Sequence, residues 1–296
     1  MSNSNDSLSK VVINWYPGHM VKAKREVEQT LKLIDIVIEL LDSRIPISSK
    51  NPDIDKLIAN KKRIVVLNKC DLSNEEENIK WINYYNSIGI NAVLVDSLTG
   101  FGMKKLIDLI YKLNEENNQK NIEKGILGKS IRIAVLGIPN VGKSSFINKF
   151  VKKGIAKVGN RPGVTKSNQW IRINKDIILL DTPGMLWPKF EEKIGLNLSF
   201  TGCIKEEIMD IETISYLLLE RLSKHYKDMI YERYKIEPEF TFNDTTELLD
   251  KIGQKRGCIM SGGRIDYNKL GHIILDEFQL GKIGKITLER VEDIDV

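Results

Sequence analysis

The sequence predicts an α/β fold, a mostly parallel sheet followed by a small all-α domain. Short apolar runs at Ile34–Leu41, Ile64–Leu67, Asn91–Val95, Ile131–Gly137 and Ile177–Leu180 recur at spacings long enough for a helix between each pair. Strands buried on both faces of a parallel sheet have this pattern. Beyond about Gly195 the runs fade and helical periodicity takes over. The length of 296 residues suits two domains, each with its own core. The expected division is a disordered tail over 1–12, a sheet domain over 13–195 and a helical domain over 196–296.

Within the sheet domain, Met103, Leu106, Ile107, Ile110 and Leu113 form one helical stripe. The polar stretch Asn114–Ser130 reads as a connection before the sheet resumes at Ile131. In the helical domain, Ile204, Ile208, Ile211, Leu218 and Leu222 keep amphipathic spacing. Asp244 and Glu247 form a capping box ahead of Leu248 and Leu249, with Gly253 as the expected stop, and Asp266 to Gly281 repeats the plan.

Composition narrows the class. Apolar residues make up 42% and charged residues 29%. The chain shows no run of 18 apolar residues and no charged-then-apolar leader, which points to a cytoplasmic protein without a membrane partner. Cys70, Cys203 and Cys258 are odd in number and far apart, the pattern of reduced thiols and not of disulfides or zinc. The net charge of +5 is uneven: residues 1–195 hold 31 basic and 21 acidic groups, and residues 196–296 hold 14 and 19. A basic first part suits phosphate-bearing ligands, from a nucleotide to an RNA backbone, and equally suits a solvated lysine-rich surface.

Gly137-Ile-Pro-Asn-Val-Gly142-Lys143-Ser144 follows a predicted strand and precedes a helix-like stretch, the context a phosphate-binding P-loop requires. Its glycines let backbone N–H groups converge on phosphate oxygens. Lys143 would reach the β- and γ-phosphates and the Ser144 hydroxyl would ligate Mg²⁺ at a helix N-terminus. Asp181-Thr-Pro-Gly184 ends another strand, with Asp181 placed for the Mg²⁺ shell and the Gly184 amide for the γ-phosphate. Between them Thr165 can offer the metal a hydroxyl from a loop.

Asn68-Lys69-Cys70-Asp71 follows the strand Ile64–Leu67 and supplies a base reader. The Asp71 carboxylate can accept from the ring N–H and exocyclic amine of guanine, a pair that adenine lacks. Ser97, in Asp96-Ser97-Leu98, is placed to back the base; many GTPases carry Ser-Ala there instead. The expected GTP/GDP-binding set is Asn68, Lys69, Asp71, Ser97, Asn140, Val141, Gly142, Lys143, Ser144, Ser145, Thr165 and Gly184. Asp71 precedes Gly137 by 66 positions, whereas in most P-loop GTPases the phosphate loop comes first. The order is that of a circularly permuted P-loop GTPase domain.

The permuted order, the phosphate loop and the N-terminal Asn14-Trp-Tyr-Pro-Gly-His-Met20 resemble the ribosome biogenesis GTPase A family over roughly Ile13 to Glu289. Gly253-Gln-Lys-Arg-Gly257, Ser261-Gly-Gly-Arg264 and Gly281-Lys-Ile-Gly-Lys-Ile-Thr287 look like that family's closing domain. The resemblance implies a GTPase acting at a late step of large-subunit assembly, with the precursor subunit and its rRNA as partners and stimulators; a monomer is expected. A nucleotide-gated RNA-binding scaffold with little intrinsic catalysis is the alternative.

In Ras-like enzymes a glutamine after the Asp-x-x-Gly motif positions the attacking water; here that place is Met185, whose thioether cannot. The resemblance gives the role to His19, which from the residues alone reads equally as packing for an N-terminal arm. Asn140 resembles the asparagine that coordinates K⁺ in related GTPases, with loop capping as the other reading. Lys251, Lys255, Arg256 and Arg264 lie in a basic stretch that suits RNA phosphates or a solvated loop.

Overall fold

The computed structural model describes residues 13–14, 28–58, 61–123, 129–154, 169–182, 184, 186–187, 189–204 and 210–294. Its centre is a six-stranded sheet of order β4-β3-β2-β5-β7-β6. The strands are β2 (Ile36–Asp42), β3 (Lys62–Asn68), β4 (Asn91–Val95), β5 (Ile131–Gly137), β6 (Gln169–Arg172) and β7 (Ile177–Asp181). All pairings are parallel except β6 with β7. A separate two-stranded ribbon pairs β1 (Ile13–Asn14) with β8 (Lys189–Phe190).

Every strand predicted from an apolar run is present, and the period-two alternation explains why. Ile36, Ile38 and Leu40 of β2 and Ile133 and Val135 of β5 enter one large core. Their neighbours Val37, Ala134 and Leu136 enter a second cluster, and Leu41, Val65 and Leu67 a third around Trp81 and Tyr85. Both faces are covered, as a parallel sheet requires. β6, whose Trp170 is exposed, is an edge strand without an apolar run.

The helices beside the sheet are α1 (Pro52–Leu57), α2 (Glu75–Ser87), α3 (Met103–Glu123) and α4 (Lys143–Gly154). α3 runs ten residues past Leu113, so much of the polar stretch predicted as a connection is solvated helix. The remaining helices are α5 (Glu192–Phe200), α6 (Ile211–His225), α7 (Lys227–Tyr234), α8 (Thr245–Arg256) and α9 (Tyr267–Gln279). Gly195 falls inside α5. The helix expected from Ile204 begins only at Ile211, where Asp210 caps the Thr213 N–H; Ile204 sits in a turn, and Ile208 lies outside the described residues.

The Asp244 cap is present, accepting from Glu247 N at 3.0 Å, while Glu247 reaches back to Asn243 N at 2.9 Å. Gly253 does not end that helix. It is buried within α8, where a β-carbon would stand 2.8 Å from Ile265, and Gly257 in the left-handed region stops the helix instead. Asp266 caps α9 as predicted.

The chain then returns to the sheet domain. Ile286 N donates to Leu72 O at 3.0 Å and Leu288 N to Arg44 O at 2.8 Å. Buried Glu289 accepts from Ile47 N, Ser48 N and Asn197 Nδ2 at 2.7–3.0 Å. Arg221 of α6 completes this clasp, donating to Asn197 Oδ1 and Leu288 O, each at 2.5 Å. The main core runs continuously from the sheet into the helical bundle.

Candidate guanine-nucleotide site

The predicted motifs converge at the C-terminal ends of the strands, where β2 and β5 lie side by side and the chain winds outward in both directions. Ligands of open α/β sheets bind at such a switch point. β5 delivers Gly137, β3 delivers Asn68, β4 delivers Asp96 and β7 delivers Asp181.

Asn68 joins the two halves of the permuted motif set. Its Nδ2 donates to Val141 O in the phosphate loop at 2.9 Å, and its Oδ1 accepts from Ser97 Oγ at 2.6 Å. Gly142, at φ 97°, must be glycine: a β-carbon there would lie 2.4 Å from Asn68 Nδ2. Lys69 Nζ donates to Asn140 O and pairs with Asp42, both at 3.0 Å. Ser97 thus also positions Asn68.

Lys143 opens α4 and donates to Thr182 O at the end of β7. Burial pulls its ammonium down to about 8, against the opposing pull of Asp181. Gly184 lies against the loop, where a β-carbon would be 3.0 Å from Pro139 N. The Asp181 carboxylate is buried and the Ser144 hydroxyl exposed at the first turn of α4. These are hard oxygen donors, a set that fits Mg²⁺ bound jointly with phosphate oxygens. Among the described residues no cluster of three or more His, Cys, Asp or Glu could hold a metal without such help.

The base cleft, ≈ 460 Å³, is lined by Asn68, Lys69, Asp71, Ser97, Asn140, Gly142 and Ser145. Burial pushes the Asp71 carboxyl up, its own loop's backbone hydrogen bonding opposes this and nearby Asp96 adds to it. Sequence reasoning missed Arg44, Thr201, Gly202, Gln279 and Leu280, which line the same cleft. It also missed Asp42, held by Arg44 Nε at 2.9 Å and Nη2 at 2.8 Å. Burial alone would raise the Asp42 carboxyl, but Arg44 and Lys69 beside it hold it well below the usual range. An acid and a base just after a strand were the available signal for this pair; the helical-domain residues left none.

His19, Thr165 and Met185 lie outside the described residues, as do Trp15 and Tyr16. Trp187 is buried edge-on against Phe190, at 5.9 Å between ring centroids. In α8, Lys251 and Lys255 both pair with Glu237, at 3.0 and 2.7 Å, and Arg256 pairs with Glu277 at 2.8 Å. Arg264 is exposed on the turn after α8.

A larger cavity, ≈ 680 Å³, opens at the opposite end of β3 beside Lys62 and Arg63. Lys62 is paired with Glu116, and Arg63 with Asp55 and Glu39. No helix among the described residues is long and apolar enough to cross a membrane.

Comparisons with known proteins agree with this geometry. Residues 132–254 match the family described as 50S ribosome-binding GTPase. Ribosome biogenesis GTPase A of Bacillus cereus is 47% identical over 286 residues, covering 96% of this chain and 95% of that protein. Two solved structures of YlqF from Thermotoga maritima, one GDP-bound and one GNP-bound, superpose with TM-scores of 0.64 and 0.62 at 25% and 26% identity. They cover 91% and 92% of this chain and all of theirs. With phosphate loop and base reader joined through Asn68 in permuted order, and with relatives this similar along nearly their whole length, the chain belongs to the ribosome biogenesis GTPase A family.

Proposed function

We propose that this GTPase hydrolyses GTP to GDP and phosphate as a switch in a late step of large (50S) ribosomal subunit assembly. The observation that supports this reading is the Asn68–Val141 hydrogen bond, which ties the Asn68–Asp71 tetrapeptide to the phosphate loop. The ribosomal assignment rests on the family description and on the relatives' name.

In this reading Asp71 accepts from guanine, Lys143 binds the β- and γ-phosphates, and the glycine loop supplies backbone donors. Ser144, Thr165 and Asp181 would hold Mg²⁺, which would supply positive charge to offset that of the phosphates. Gly184 and Thr165 respond to the γ-phosphate. His19 orients the attacking water in place of the glutamine absent at Met185, since imidazole can take or direct a proton near neutral pH. Asn140 would hold K⁺, which would add positive charge at the phosphate loop.

Residues 13–195 form the GTPase unit and 196–296 the RNA-binding unit, acting as a monomer in the cytoplasm, with 1–12 as a tail. Lys251, Lys255, Arg256 and Arg264 meet rRNA phosphates. The Glu237 pairs are no obstacle, because that carboxylate is 53% exposed and surface ion pairs exchange at little cost.

The test is GTP turnover by wild type and His19→Ala, with and without large subunits. Stimulation by subunits that disappears in the variant is the expected result. Turnover indifferent to subunits in wild type would overturn the assembly role. A nucleotide-gated scaffold, the reading that Met185 favours, would bind subunits in a GTP-dependent way with no stimulated turnover.

A further inference from the structure

One wall of the base cleft comes from neither the phosphate loop nor the base-reading tetrapeptide. Gln279, the last residue of α9, and Leu280 after it line the cleft together with Asn68, Asp71 and Ser97. The helix end is held in place. Arg44, clamped on Asp42, donates through Nη1 to Gln279 O at 3.4 Å, and its guanidinium lies 5.4 Å from the centre of the Phe278 ring. Leu72, next to Asp71, accepts from Ile286 N a few residues beyond α9.

The Gln279 side chain is wedged against the turn after α5: a β-carbon on Gly202 would stand 2.9 Å from its Oε1. Its Nε2 is buried and has no hydrogen-bond partner among the described residues. A buried amide donor without a partner is costly, and native structures keep few of them outside functional places. Two large apolar side chains at the same cleft, Leu98 and Leu280, are 74% and 62% exposed. A flat heteroaromatic ring entering beside them would cover apolar surface and bring acceptors within reach of the amide.

We infer that α9 reads the nucleotide base: Gln279 donates through Nε2 to the acceptor edge of guanine, O6 or N7, and Leu280 covers the ring. The inference rests on the cleft being the guanine site. Guanine presents two acceptors on that edge, whereas adenine presents a donor amine in place of O6, so a donor at Gln279 adds to the discrimination begun by Asp71. The contact is blind to the γ-phosphate. GDP and GTP alike fasten the helical domain to the GTPase core through it.

The test is calorimetric titration of the full chain with GDP and with a non-hydrolysable GTP analogue. Gln279→Leu and Gln279→Glu, the second nearly isosteric, should each weaken both nucleotides about tenfold, the effect of losing one good hydrogen bond to the base. Two further ligands separate contact from packing: 7-deazaguanosine diphosphate, which lacks N7, and 2-aminopurine riboside diphosphate, which lacks O6 and also the N1–H that faces Asp71. Wild type should lose affinity for both, and one of the two losses should be about tenfold smaller in Gln279→Leu, the Asp71 part of the second loss remaining in either protein. Fully additive losses, or unchanged GDP affinity in both variants, would overturn the inference. Asp71→Asn serves as the control: if it fails to trade guanosine for xanthosine diphosphate, the cleft is not the base site and both readings fall.

Discussion

The side-chain amide of Asn140 donates to the main-chain carbonyl of Gly202 at 2.9 Å. A phosphate-loop residue is thereby tied to the turn that ends α5. Asn140 itself is in the left-handed region at φ 57°, where asparagine is among the few side chains tolerated. With Nδ2 committed to Gly202, Oδ1 is the atom left to ligate a cation, and its direction is fixed by that bond. If Asn140 holds potassium, wild-type turnover is faster in potassium than in sodium, and Asn140→Ala removes the difference. Equal wild-type rates in the two salts would dismiss the potassium assignment.

Base selection gives the second prediction. Asp71→Asn replaces an acceptor pair with a mixed donor and acceptor, so GTP affinity should fall by at least about a hundredfold while xanthosine triphosphate gains. Competition between the two nucleotides in one binding assay reads both changes. Undiminished GTP binding would remove Asp71 from the base site.

Lys143 predicts a pH dependence. Burial lowers its ammonium to about 8 in the absence of nucleotide, and phosphate beside it would restore a higher value. Binding above that pH therefore takes up a proton. GDP affinity should be level below about pH 7 and fall as pH rises through 8, approaching tenfold per unit. Lys143→Arg, which stays charged, should flatten the profile though it binds more weakly.

The clasp at Glu289 predicts a stability effect. Its carboxylate accepts from Ile47, Ser48 and Asn197, all on elements distant in sequence. Glu289→Ala would leave the buried Ser48 and Asn197 donors without their acceptor, at a cost of about 3 kcal/mol. Urea unfolding should show a lower midpoint, and hydrogen exchange should show the 282–294 segment opening first. Unchanged stability would mean that the clasp contributes nothing net.

The sequence by itself determined the sheet and the motifs that the fold gathers at its C-terminal edge. Apolar runs of strand length are local signals, and so are Gly137–Ser144, Asn68–Asp71 and Asp181–Gly184, because each needs its residue types at fixed spacing along one stretch of chain. Local pattern was misleading where a competing effect decided the outcome. Polar residues after Leu113 stayed helical in solvent, Gly253 was chosen for close packing against Ile265, and β6, with Trp170 exposed, carried no apolar run to read.

Only the tertiary structure decided which distant residues complete the site. Ser97 turned out to hold Asn68, Arg44 to neutralise Asp42, and Gly202 and Gln279 to line the candidate base cleft from helices far along the chain. Arg44, Gly202 and Gln279 carry no motif. A glutamine at a helix end acquires meaning from what the chain brings beside it, and that placement is fixed by packing between segments distant in sequence.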